Sequence, residues 1–249
     1  MRFTGELAVA VQFLTRLPVP SSADLPEAET QGRSVLYYPL VGALIGGLLC
    51  ILFSLTGEEA GSLRAALILA LWVGVTGALH LDGLADLADG WVGGQGNRAR
   101  TLEIMKDSCS GPVAVVFVVL LLLVKFAALD VLIERGMWSA LLLVPIVGRA
   151  GLVAALCYLP YARPGGIGEV LASHLPRGSA DRVLAASALL LPLFWGWDGI
   201  LILLLITGFF LLLRQFLNNR LGGITGDAAG AVCVLLEAAT LIFLVLLGS

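Results

Sequence analysis

"LRAALILALWVGVTGALHLDGLADLADG", residues 63–90, decides how the rest of the chain is read. After Arg64 its first half is apolar, and its second half delivers Asp82, Asp86 and Asp89 within eight positions. An apolar segment of about 20 residues matches the hydrocarbon thickness of a bilayer. Three carboxylates at the end of such a segment stand where the chain leaves lipid, and something has to compensate their charge.

The same pattern of long apolar runs continues in both directions. Of 249 residues 59% are hydrophobic and 13% charged, and the mean hydropathy is +0.97; a soluble domain is only about 45–50% apolar. Runs at Tyr38–Leu55, Leu63–His80, Gly111–Ile133, Met137–Leu159, Val183–Trp197, Gly199–Leu213 and Ala228–Leu247 predict an all-α polytopic membrane bundle. It has about seven transmembrane helices and forms a single domain over residues 1–249. The fifth and sixth runs are separated only by "GWDG" and read as a tight hairpin or as one broken element. "GALIGG" at 42–47 suits close helix approach in lipid.

Residues Met1–Pro20 are too interrupted by Glu6, Gln12, Thr15 and Arg16 for a signal-peptide core, and no small-residue cleavage site follows. They predict an amphipathic interfacial helix ended by Pro18 and Pro20. The polar segment Ser21–Arg33 reads as a loop. A net charge of −3 gives no footing for nucleic acid, and Cys50, Cys109, Cys157 and Cys233 form no C-x-x-C pair, so neither a disulfide framework nor a zinc site is expected.

Basic residues set an orientation. If all seven runs cross, one side carries eleven of them: Arg2, Arg16, Arg33, Arg98, Arg100, Lys106, Arg163, Arg177, Arg182, Arg214 and Arg220. The other side has Arg64 and Arg135 alone. The positive-inside rule then puts the N-terminus and the loops near 81–110, 160–182 and 214–227 in the cytoplasm.

Three segments on that side carry chemistry. In a helix Asp82, Asp86 and Asp89 share one face, where like charges repel unless a cation intervenes. Carboxylates at a membrane surface suit Mg²⁺, a hard ion that also bridges phosphates. His80 points nearly opposite and reads as a packing residue. Gly83 and Gly90 would leave room for a ligand to approach. "MKDSCSGP" (105–112) offers Lys106 as a cation for phosphate and Asp107 as a further carboxylate, although Asp107 or Ser108 would equally serve as a helix cap. "LGGITGDAAGA" (221–231) surrounds Asp227 with Gly222, Gly223, Gly226 and Gly230, a loop that lets backbone approach a ligand at a helix N-terminus.

Taken together, "FLTRLPVP" (13–20), "YYPLVGALIGG" (37–47), "ALHLDGLADLADG" (78–90), "MKDSCSGP" (105–112) and "GGITGDAAGA" (222–231) resemble the cobalamin synthase family, the adenosylcobinamide-GDP ribazoletransferases. The resemblance covers nearly the whole chain. It implies a Mg²⁺-dependent enzyme of the bacterial inner membrane, with its active site on the cytoplasmic face. Such an enzyme joins adenosylcobinamide-GDP to α-ribazole or its 5′-phosphate and releases GMP. On this reading Asp82, Asp86 and Asp227 hold the metal, Asp89 or Asp107 is the general base, and Lys106 pairs with phosphate. Gly83, Gly223 and Gly226 border the substrate. Membrane lipid is a partner, and a homo-oligomer is compatible with the sequence. The segment after "MKDS" departs from the family pattern, which leaves Cys109 and Ser110 without a catalytic role.

Two rival readings meet specific objections. "DGLADLAD" (82–89) is similar to the aspartate motif of the CDP-alcohol phosphotransferases of phospholipid synthesis, but Asp86 stands where that family has Arg. A cation transporter would want carboxylates at the midplane. At that depth the chain has Arg149, about 11 residues from the cytoplasmic end of the fourth run, and Glu237, about 9 into the seventh. At about 1.5 Å per residue the two lie at nearly one level. They are expected to pair, with Lys125 the weaker partner; the alternative gives Arg149 a substrate phosphate.

Overall fold

The computed structural model describes residues 2–19, 26–107 and 109–248. Eleven α-helices follow one another: α1 (Arg2–Leu14), α2 (Ala28–Ser34), α3 (Tyr38–Leu55), α4 (Ser62–Thr76), α5 (Leu79–Gly93), α6 (Arg98–Ile104), α7 (Pro112–Glu134), α8 (Ser139–Tyr158), α9 (Ile167–Ser173), α10 (Arg177–Leu221) and α11 (Gly226–Leu247). Among the described residues five helices, α10 counted as one, are long and apolar enough to cross a membrane, and the bent pair α4–α5 adds a sixth if it counts as one span.

That bend corrects the second expected run. Thr76 ends α4, Gly77 and Ala78 both adopt φ +58°, and α5 departs at 85°. A straight helix cannot pass through two consecutive left-handed residues. Arg16 fills the space beside Gly77, leaving no room for a side chain there. His80 and the three aspartates therefore sit on a helix turned across the end of α4. The segment read as a loop over 21–33 is also partly helical, since α2 begins at Ala28.

Gly196 settles the hairpin question. At φ 54° and ψ −128° it breaks α10 in two. Leu184, Ala188 and Leu191 of the first arm and Leu203, Ile206 and Phe210 of the second line one cavity against α8, so the arms run antiparallel.

The core is built on α8, where fifteen of twenty residues are buried, and on α11. Gly42 and Gly46 press α3 against the backbone of α8 at Pro145 and Leu142, within 2.7 Å of where a Cβ would stand. Small residues four apart allow this approach, and dispersion between the backbones replaces the hydrophobic effect that lipid cannot supply. Gly47 meets nothing, so only part of "GALIGG" performs that role.

Connections gather at two ends. At one, Arg16 N–H donates to Val75 C=O (2.8 Å), Ile224 N–H to Pro160 C=O (2.8 Å), and the Arg98 guanidinium covers Gly222. At the other, Arg135 donates to Val245 C=O (2.8 Å), the Trp195 indole to Ser139 Oγ (3.0 Å), and Ser62 to Asp130 (3.0 Å). The loops near 81–110, 160–182 and 214–227 thus share an end.

Between the ends Arg149, Glu237 and Lys125 form a buried triad, at 0%, 1% and 3% exposure. Arg149 Nη1 bonds Glu237 Oε1, and Lys125 Nζ reaches Oε2 at 2.7 Å while resting over the Trp72 ring. The expected pair is present, but Lys125 is a full partner rather than a weaker one. Removing one member of a buried ion cluster strands the others at a cost of about 3–5 kcal/mol. Glu237→Leu is predicted to approach that loss, because it leaves two cations unpaired. Lys125→Met should lose less, because the Arg149 bond survives. Unfolding in detergent measures both, and equal losses would mean that Glu237 is not shared.

Candidate active site

Four segments meet at the end opposite the Trp195–Ser139 contact. The turned helix α5 supplies Asp82, exposed, and Asp86 and Asp89, half-buried. The N-terminus of α11 supplies Asp227. Thr225 caps that helix, its Oγ1 accepting from Ala228 N–H at 3.1 Å, and this places Asp227 in the first turn. There the helix dipole favours a negative side chain.

The two helices touch at Gly83, where a Cβ would lie 2.3 Å from the Asp227 carbonyl oxygen. Only glycine permits that approach, and it brings the two acid-bearing segments together. Asp82 and Asp227 consequently bear on each other, and Asp86 lies in the field of Asp227, Asp82 and Asp89.

The loop after α8 adds the counter-charge. Ile224 N–H donates to Pro160 C=O and Ala162 N–H to Ile224 C=O, both at 2.8 Å, clasping this loop to the one before α11. Gly223, at φ 148°, sits where a Cβ would meet the Pro160 oxygen at 2.0 Å. The clasp sets Arg163 Nη1 3.0 Å from Asp227 Oδ2, too oblique for a hydrogen bond, with Nη2 3.5 Å from the Met105 carbonyl. Tyr161 stands beside them. Burial pushes its phenol above the ordinary value, against the pull of the Gly226 backbone and Arg163, so it remains a proton donor.

Asp89 has a different position from its neighbours. Oδ2 accepts from Gly111 N–H and Oδ1 from Ala114 N–H (2.9 Å), so both oxygens cap the start of α7. This arrangement meets the preference for an acid at exposed helix N–H groups. It corrects the reading of Asp89 as a general base, whose oxygens would have to be free. Ser108, offered as a cap for the same helix, lies outside the described residues. Asp107 is exposed and accepts from Cys109 N–H at 3.0 Å, and Lys106 is exposed beside it.

Three expected substrate contacts are also corrected. Gly83 and Gly223 have their open faces filled by the Asp227 and Pro160 backbones, and Arg149 is closed inside the triad. Space at Gly90 is taken by Met105 and Thr101. Gly226 keeps its place: nothing stands within 4 Å of where its Cβ would be, and it borders a cavity of about 250 Å³ beside Asp82, Asp227 and Arg163. Arg163, Tyr161, Tyr38 and His80, which line the same cavity, were not assigned to the site from sequence. "YARPGG" (161–166) is the available signal, an arginine and a tyrosine in a loop of turn-forming residues.

Among the described residues no group of three His, Cys, Asp or Glu side chains closes on one point as a metal would require. The donor set nevertheless suits a hard cation. Asp82, Asp86 and Asp227 offer carboxylate oxygens only, and among the described residues Arg163 is the cation that bears on Asp86 and Asp227.

The chain matches the family described as cobalamin-5-phosphate synthase over residues 6–245. It is 53% identical over 238 residues to the adenosylcobinamide-GDP ribazoletransferase of Pseudomonas putida (strain W619), covering 96% of this chain and 97% of that one. It is 51% identical over 239 residues to that of Pseudomonas savastanoi pv. phaseolicola (strain 1448A / Race 6), covering 96% and 98%, and 51% over 240 residues to that of Stutzerimonas stutzeri (strain A1501), covering 96% and 97%. No solved structure matches. With the match running from within α1 into the last turn of α11, the chain belongs to the cobalamin-5-phosphate synthase family.

Proposed function

We propose that this chain transfers the cobinamide phosphate of adenosylcobinamide-GDP to α-ribazole or its 5′-phosphate, with GMP leaving, at the end of the bundle where α5, α11 and the 159–166 loop meet. The observation that carries the site is the convergence of Asp82, Asp86 and Asp227 around one guanidinium, beside a cavity. In the reaction an acceptor hydroxyl oxygen bonds to phosphorus, the pyrophosphate bridge breaks, and GMP keeps the bridging oxygen. The hydroxyl proton passes to a base. Such transfer depends on charge neutralisation and in-line positioning more than on covalent chemistry.

Asp82, Asp86 and Asp227 would hold Mg²⁺, which when bound neutralises the pyrophosphate. Arg163 keeps Asp227 oriented and presents a fork of donors to a phosphate oxygen. Lys106 adds a second cation at the rim. With Asp89 committed to the α7 cap, Asp107 is the acid left to accept the proton. The bundle spans the bacterial inner membrane with this end in the cytoplasm, as the eleven basic residues of that side direct. A transporter reading gains nothing from the structure, because the one carboxylate of the triad, Glu237, is closed between two cations.

The direct test is incubation of purified protein with adenosylcobinamide-GDP, α-ribazole and Mg²⁺, with CDP-diacylglycerol replacing the corrinoid as the rival substrate. Corrinoid product and GMP are expected only from the first mixture, and EDTA should abolish them. Asp82→Asn and Asp86→Asn preserve size and remove charge. Each is predicted to lower turnover by orders of magnitude while the protein still inserts, and near wild-type rates at saturating Mg²⁺ would refute the ligand assignment.

Asp89→Ala should behave differently. Loss of the α7 cap should lower stability by about 0.5–2 kcal/mol, with activity recovering as temperature falls. A rate loss as deep as that of Asp82→Asn at every temperature would restore Asp89 to the chemistry. Reporter fusions at residues 95, 170 and 220 should report cytoplasm and the C-terminus the outside; an external signal at 95 would invert the bundle.

A further inference from the structure

A second cavity, of about 400 Å³, lies away from the acids, between α8 and the two arms of α10. On α8 its wall follows one face from Val147 to Tyr158, and on the first arm it runs from Asp181 to Leu191. At about 1.5 Å per residue each stretch is ~15 Å long, half of the ~30 Å hydrocarbon core of a bilayer. Tyr158 directly precedes the 159–166 loop, so the cavity descends from the bundle end that carries the acids to the midplane, the depth of one leaflet. Its mean cross-section is then roughly 25 Å². That takes a single hydrocarbon chain with its atoms ~4 Å from the wall and is too narrow for a helix about 10 Å across.

The shaft offers nothing to water. The Ser187 hydroxyl donates to Val183 C=O (2.8 Å) and that of Thr207 to Leu203 C=O (2.7 Å), so each is satisfied within its own helix. A water inside would lack the polar partners that hold one, whereas an apolar chain restores the dispersion contacts that an empty shaft forfeits. The mouth has the opposite character. Asp181 is exposed and accepts from the Tyr158 hydroxyl through Oδ1 at 2.5 Å. Arg177, also exposed, stands one turn earlier on the same helix, and among the described residues no ion pair joins the two. It is the first residue of α10, where unpaired N–H groups and the helix dipole add to its positive charge. Both charges act on Cys157, next to Tyr158, so both stand at the mouth.

We propose that this cavity holds one acyl chain of a phospholipid from the leaflet on the side of the acids, with a primary-ammonium headgroup, as in phosphatidylethanolamine, at its mouth. Asp181 accepts from the ammonium, and Arg177 with the first N–H groups of α10 takes the phosphate. A choline headgroup has no N–H to give Asp181, and a glycerol headgroup brings no positive charge to it. The lipid wedges α10 against α8 and takes no part in bond exchange, so the assignment is independent of the reaction that the acids perform.

Native mass spectrometry tests the site on protein delipidated in detergent and returned to phosphatidylethanolamine, phosphatidylcholine or phosphatidylglycerol. One lipid per chain should stay bound, with phosphatidylethanolamine preferred over the other two. Asp181→Asn keeps an acceptor for Tyr158 and removes the charge. It should cut the preference over phosphatidylcholine about threefold to tenfold, the worth of a charge-assisted hydrogen bond at an exposed mouth. Ala154→Trp fills the shaft and should abolish retention of all three lipids, together with the rise in unfolding temperature that phosphatidylethanolamine gives the wild type. Ala188→Phe narrows the shaft from the facing arm and covers the case in which Ala154→Trp fails to fold. Retention undiminished in the folded shaft variants would put the lipid elsewhere and overturn the proposal. Equal binding of the three lipids, unaltered by Asp181→Asn, would overturn the headgroup assignment. A wild-type dimer that Ala154→Trp splits would mean that a second copy of the chain covers this face, which also overturns it.

Discussion

The approach of α5 to the start of α11 at Gly83 is the constraint on which the site depends. A side chain there would collide with the Asp227 carbonyl, so two acid-bearing segments far apart in sequence are pressed together with no spacer. The approach is possible because the chain leaves α4 through two left-handed residues and lies at 85° across the bundle. Continued straight, the helix would have carried Asp82 and Asp86 away from Asp227. Backbone geometry at Gly77–Ala78 is thus the first cause, helix contact the second, and the concentration of negative charge the result.

Two clusters of charge in one bundle illustrate how depth governs design. In the interior, Glu237 is matched by Arg149 and Lys125 in direct contact, and a Trp72 ring face takes part of the ammonium. Desolvation leaves no alternative there, since an isolated charge in hydrocarbon is expensive. At the bundle end the described acids Asp82, Asp86 and Asp227 outnumber the guanidinium of Arg163 that bears on them. Water or a cation can balance them there, and an unbalanced site is one that can bind. The interior carboxylate is taken up by its partners, and the acids at the bundle end are the ones available for chemistry.

Much of this was legible in the residues. Long apolar runs with charged residues between them determine helices in a bilayer, because only a helix satisfies its own backbone in hydrocarbon. The spacing of Asp82, Asp86 and Asp89 places them on one helical face wherever that helix lies, and motifs spread from residue 13 to 231 mark the family to which the chain belongs. Depth counting alone brought Arg149 and Glu237 to one level. Each of these inferences uses only periodicity, composition or resemblance, which local sequence carries in full.

What only the tertiary structure decided is how identical side chains divide their work. Asp86 and Asp89 are equivalent by type and nearly so by position, yet one faces other acids and the other caps α7 through Gly111 and Ala114. Glycines that looked alike separate into Gly83 and Gly223, filled by neighbouring backbone, and Gly226, left open. Arg163 joins the acids only because a two-way backbone clasp holds its loop against residue 224. Tyr38 and His80 come to line one cavity only where α1, α3 and α5 are assembled around it. Sequence determined which groups reach this end of the bundle; contacts between distant segments, which no local pattern encodes, determined which of them remain free to act.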